Sequence, residues 1–128
     1  MSSHFNKFCL ILASALASVS TVQAAPVDDY KSFGSVAAVS EMCLNSSQIT
    51  DRINVVVPAA VKKNPEITGI MQSLIEAYNA AYSKAIVDAR IWEPNNSGNF
   101  SYSKPINCRN ADDLNKVKFY HSAILKAL

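Results

Sequence analysis

Three glycines in 128 residues are too few for a glycine-rich phosphate loop, and Gly34, Gly69 and Gly98 stand too far apart to share one. Histidine is almost as scarce. Of the two present, His4 lies near the start, so His121 stands alone in the body of the chain. A single ring excludes a histidine pair and a histidine-based zinc site, and a Ser-His-Asp triad would have to be built on it. Neither sign of charge dominates, with 12 basic against 10 acidic residues, which argues against a nucleic-acid partner that needs a basic face. Glu41, Asp51, Glu66, Glu76, Asp88 and Glu93 are dispersed, and no two of them suggest a glycosidase-like carboxylate couple. These absences point away from an enzyme, a metal site or a bound cofactor.

The one long apolar run comes at the beginning. Lys7 supplies a positive start, Phe8 to Ala17 is an uncharged core too short to span a bilayer, and Val22-Gln23-Ala24 ends in a small-x-small cleavage pattern. The reading is a signal peptide over residues 1–24, cut between Ala24 and Ala25, with a retained membrane anchor as the competing reading. Residues 25–128 then form a single domain with no further long apolar run, so no stable membrane insertion is expected after cleavage. With Lys7 gone, 11 of the 12 basic residues face the 10 acidic ones. The implied location is periplasmic or secreted.

Of three cysteines, Cys9 leaves with the leader. Cys43 and Cys108 remain, and an even pair in an exported chain reads as a disulfide. Two redox or metal-binding thiols are the alternative, but no CxxC spacing or second ligand accompanies them.

What the chain does have is helical periodicity. Ile67, Ile70, Met71, Leu74, Tyr78, Ala81, Tyr82, Ala85, Ala89 and Trp92 form one stripe from Pro65 to Trp92, widened by Ile75 and Ile86. At 1.5 Å per residue this helix would be about 42 Å long, with Asn64 as N-cap, Pro65 at the first position and Pro94 beyond its end. It is the expected spine of the fold. A first helix near 28–44 is capped by Asp28 or Asp29 and buries Tyr30, Phe33, Val36, Ala37, Cys43 and Leu44, with Gly34 permitting a close neighbour. A second, near 47–63, carries Ile49, Ile53, Val56, Val57, Ala60 and Val61, with a kink or break expected at Pro58. Ile53 to Val57 is β-branched enough for a strand, but no convincing partner strand is visible. The last helix, near 110–127, starts at Asn110 with Asp112 and Asp113 in its first turn, and buries Leu114, Val117, His121, Ile124, Leu125 and Leu128. Phe119 falls opposite. The expected fold is all-α, a small disulfide-linked four-helix bundle.

Residues 94–107 read as a long loop rich in Pro, Asn, Ser and Gly, tacked down by Phe100 and Tyr102. Within it, Ser101-Tyr102-Ser103-Lys104 matches the S-x-x-K string of penicillin-recognising serine enzymes. That chemistry needs the lysine one helical turn after the serine and partner motifs this chain lacks, so the match is a chance one. Asn45, Asn95 and Asn99 begin glycosylation-type strings, which matter only in a eukaryotic source.

An apolar helix ending in cysteine (VAAVSEMC), a tyrosine-bearing long helix (EAYNAAYSKA) and a cysteine just before the last helix (NCRNADDLNK) together resemble the small helical pilotins of bacterial type II secretion, the PulS and OutS family. The resemblance covers roughly Tyr30 to Leu128 and lies in layout. It implies four helices tied by a Cys43–Cys108 bond and a secretin as partner. The chain departs from that family in lacking a cysteine at the cleavage site, so it has no lipid anchor of the family's kind.

The functional expectation is an exported, non-enzymatic helical binding or scaffold protein, a pilotin-like or chaperone-like partner of an envelope secretion component. An uncovered strip of Ile75, Tyr82 and Ile86 on the long helix would take an amphipathic helix of that partner, unless the first helix or the 94–107 loop closes it. The alternative is an inhibitor of a hydrolase that inserts the 94–107 loop.

Overall fold

Every residue from Ser32 to Ser40 is buried, so this stretch meets neighbours on all sides of its helix rather than along one stripe. It belongs to α1 (Ala24–Leu44), the element around which the others are arranged. The computed structural model describes residues 24–128; the leader reading over residues 1–24, apart from Ala24 itself, lies outside the described residues. After α1 come α2 (Gln48–Lys63), a 3-10 turn (Pro65–Ile67), α3 (Thr68–Asp88), strands β1 (Trp92–Pro94) and β2 (Phe100–Tyr102), and α4 (Ala111–Ala127). The chain is therefore mostly helical, with four α-helices among the described residues and a small two-stranded sheet that the sequence reading did not anticipate.

Small side chains make the central position of α1 possible. Gly34 lies so close to the backbone of α3 that a Cβ there would fall 2.1 Å from the Tyr78 carbonyl oxygen. Ser32, Ser35, Ala37, Ala38 and Ser40 are buried between the larger Phe33, Val36 and Val39. Three hydroxyls in this stretch read as polar in sequence, yet Ser35 turns inward, donating to the Ser32 carbonyl at 3.0 Å and accepting from Trp92 N–H at 2.9 Å. Asp28 and Asp29 lie inside this helix rather than at its start, because α1 already runs from Ala24. The expected cap is replaced by a buried carboxyl at Asp29 and by an Asp28 carboxylate that accepts from Trp92 Nε1 at 3.1 Å.

The long stripe from Pro65 is divided. Pro65–Ile67 is a 3-10 turn with proline at its first position, and α3 stops at Asp88. Ala89 adopts a left-handed conformation, φ 56°, and its N–H caps the Ala85 carbonyl at 2.8 Å. Trp92 thus leaves the helical stripe and joins β1. That strand pairs antiparallel with β2 in the register Trp92↔Tyr102, Glu93↔Ser101 and Pro94↔Phe100. What read as a loop over 94–107 is in large part a hairpin, its turn held by the Asn95 side chain, which accepts from Ser97 and Asn99 N–H.

Cys43 and Cys108 form a disulfide with Cα atoms 5.1 Å apart, joining the end of α1 to the approach to α4. At the start of α4 the Asn110 side chain accepts from Asp113 N–H at 3.0 Å, as its position suggests. The buried line of α4 runs through Val117, Tyr120 and Ile124. His121 is half-buried beside that line, and Phe119 is 44% exposed on the far side. Helix α2 continues through Pro58 without a break. Among the described residues no helix is long and apolar enough to cross a membrane.

Candidate functional site

Helix α2 begins as a core helix and ends as a surface one. Ile49 and Ile53 are buried, but Val56, Val57, Ala60 and Val61, the continuation of the same stripe, are only half-covered. The turn into α3 is rigid: Asn64 N–H donates to the Ala60 carbonyl at 2.9 Å, Thr68 Oγ1 donates to the Pro65 carbonyl at 2.6 Å, and Ile67 is fully buried beneath them. Between the second half of α2 and the first half of α3 a hollow of about 460 Å³ is left open. Its apolar lining comes from Val57, Val61, Met71 and Ile75, and Thr68, Gln72 and Glu76 supply polar edges. Such a cleft, apolar with a few polar groups at its edge, has the make-up of a surface that a ligand or a partner's side chains can fill.

The three residues expected to form one strip are divided by this geometry. Ile75 lines the hollow. Tyr82 is not among its lining residues; its ring stacks with Tyr78 at 6.4 Å between centroids, and its hydroxyl donates to the Glu41 carboxylate. That donation, followed by burial, pushes the Tyr82 phenol above its ordinary range. Ile86, about one turn beyond Tyr82 and also not among the lining residues, is 45% exposed beside Val87, which is 86% exposed. Tyr78 joins the same polar seam: its oxygen lies 2.6 Å from Thr50 Oγ1, and burial, only partly offset by that bond, pushes its phenol up to about 12. Sequence periodicity assigned Val57, Val61 and Met71 to the core. The signal for a gap was an α2 stripe too long for the neighbours available to cover it.

Groups with chemical potential lie elsewhere. His121 Nε2 is 3.1 Å from Ser46 Oγ, and burial lowers the imidazole pKa. Neither that hollow nor a second of about 300 Å³, lined by Gln48, Asp51, Arg52, Val55 and Leu125, includes either residue. Among the described residues no three histidine, cysteine or carboxylate side chains converge as a metal site would require. Ser103 of the S-x-x-K string is buried, accepting from Ile91 N–H at 3.0 Å and donating to the Lys104 carbonyl at 2.7 Å, so it laces the hairpin to the end of α3.

The hairpin is fastened on both faces. Trp92 meets Tyr102 edge-on at 4.6 Å and stacks with Phe100 at 6.3 Å, while Lys31 Nζ lies 3.8 Å from the Trp92 ring centroid. On the opposite face Glu93 accepts from Tyr120 at 3.0 Å and from Lys116 at 3.2 Å, and burial with this carboxylate pushes the Tyr120 phenol well up. Asn96, Ser97, Gly98 and Asn99 at the tip are exposed. No family model, no curated protein and no solved structure matches the chain.

Proposed function

We propose that this is an exported, non-enzymatic binding protein: residues 25–128 form a single four-helix bundle that works in the periplasm or after secretion and holds an amphipathic helix of an envelope secretion component. The observation that carries the reading is the unfilled apolar gap lined by Val57, Val61, Met71 and Ile75. A partner helix would insert side chains at i, i+3 and i+4 there, gaining from apolar burial, while Gln72 and Glu76 give the edge polar contacts. The disulfide suits an oxidising compartment, in keeping with the leader. The pilotin-like layout makes an amphipathic helix of a secretin the first partner to try.

A second reading draws support from the hairpin, whose exposed tip stands on a well-fastened base. In that reading the protein inhibits a hydrolase by inserting the 94–107 segment. One experiment separates the two. Fluorescence anisotropy with a labelled peptide of an amphipathic helix of the secretin encoded in the same genome should show saturable binding to residues 25–128. Ile75→Glu should abolish it and removal of residues 96–98 should leave it intact. Ile75→Glu is chosen over Tyr82→Glu because a charge at position 82 would also confront Glu41. Binding lost with the tip and kept with Ile75→Glu would reject the groove.

A further inference from the structure

Asp29 is 0% exposed, and among the described residues neither of its carboxylate oxygens has a hydrogen-bond partner. A lone carboxylate out of water is among the costliest groups a fold can hold. Lys31, two residues further along α1, is engaged elsewhere, over the Trp92 ring. Asp28, next along the chain, adds like charge and is itself bonded to Trp92. The backbone gives no relief either. Three residues back, where a side chain in the first turns of a helix finds an N–H to accept from, stands Pro26, whose nitrogen carries no hydrogen.

One further turn back is Ala25, four residues before Asp29 in α1. Positions four apart share a helix face, and side chains lean toward the N-terminus. On that geometry an Asp29 side chain leaning back along the helix would approach the backbone nitrogen of Ala25, whose residue lies roughly 6 Å back along the axis. Resting on the export reading above, cleavage hydrolyses the Ala24–Ala25 amide: water gives Ala24 a carboxylate and leaves Ala25 with an ammonium. We propose that this new ammonium is the missing counter-charge of Asp29, so that removing the leader completes an ion pair at the head of the central helix. Before cleavage the described residues leave the carboxyl without a partner, and after it the first turn of α1 is held by charge, which couples final packing of α1 to processing.

The test starts from the full chain exported by a host, with intact mass giving the first residue. The α-amino pKa is then read by NMR on ¹⁵N-labelled alanine, and the urea midpoint is compared with that of the same chain acetylated at Ala25, in native, Asp29→Asn and Asp28→Asn backgrounds. A start at Ala25 is expected, with an amine pKa raised by about one unit or more from its ordinary 7.7–8.0. That rise should vanish in Asp29→Asn and persist in Asp28→Asn. Acetylation should lower the midpoint of the native chain and leave Asp29→Asn unmoved; if the acetylated native chain fails to fold, Asp29→Asn should restore folding. An Ala25 start with an ordinary amine pKa, an equal loss in Asp28→Asn, or no rescue overturns the pairing and leaves the export reading standing. A different first residue overturns the cleavage position and the pairing with it.

Discussion

Replacing Gly34 by alanine probes the contact of α1 with α3 at its tightest point. The added Cβ would lie 2.1 Å from the Tyr78 carbonyl oxygen, 2.9 Å from its carbon and 3.1 Å from its Cα, all backbone atoms of α3. Even a close carbon–oxygen contact needs about 3.3 Å, so the two helices must part by roughly 1 Å, enough to forfeit a quarter to a half of the dispersion attraction at each separated contact. Phe33 and Val36 on one side and Leu74 and Tyr78 on the other are core residues of these helices. Overpacking costs about 1–3 kcal/mol and sometimes more, against a gain of ~1 kcal/mol from alanine's helix propensity. Because the obstacle is backbone rather than a flexible side chain, the balance should be a loss of about 2 kcal/mol or more. Gly69 gives the matched control: it lies in the first turn of α3 with nothing within 4 Å, so the same substitution should stabilise by up to ~1 kcal/mol. Urea unfolding followed by circular dichroism at 222 nm reads both. A Gly34→Ala protein as stable as wild type would refute the close packing of α1 on α3.

Reducing the Cys43–Cys108 bond, or replacing both cysteines by serine, releases a loop of 65 residues and should cost about 4 kcal/mol in the chain-entropy model, read as a lower urea midpoint. Burial, with the like charge of Asp28, pushes the Asp29 carboxyl from 3.8 to about 8, so in an N-terminally extended chain the folded state holds a proton that the unfolded state has lost. Stability should then be full below about pH 4 and fall as pH rises toward about 8, by an amount on the order of 5 kcal/mol at most, and Asp29→Asn should flatten the profile. His121 works in the opposite sense: its lowered pKa makes the unfolded state the better proton binder, so its contribution falls as pH drops below about 6.5, and His121→Gln should remove that acid-side decline. Tyr120→Phe deletes a hydrogen bond to the Glu93 carboxylate and should cost about 1–2 kcal/mol, with amide exchange accelerated over 92–102 more than over α2.

Much of the helical layout was legible because it rests on local chemistry. Asn110 caps α4, Pro65 opens the turn into α3, and the Ile49–Ile53 period marks the core face of α2. The central role of α1 was hidden by Ser32, Ser35 and Ser40, which periodicity counts as solvent-facing although all three are buried. A helix covered on every side shows no single stripe. The end of α3 was equally opaque, since Ala89 takes a left-handed conformation with no glycine or asparagine to announce it. Strands of three residues, β1 and β2, are too short to display alternation. Of the strip Ile75, Tyr82 and Ile86, only Ile75 lines the hollow between α2 and α3, because the width of an apolar face does not say which part a neighbour leaves uncovered.

Methyl NMR tests most directly whether the gap between α2 and α3 receives a partner. As the secretin helix peptide is titrated into residues 25–128, the methyl signals of Val57, Val61, Met71 and Ile75 should shift together along one saturation curve, while those of Ile91 and Val117, buried elsewhere, stay in place. Saturable binding with those four signals unmoved, and the largest shifts instead in backbone amides of residues 95–99, would contradict it.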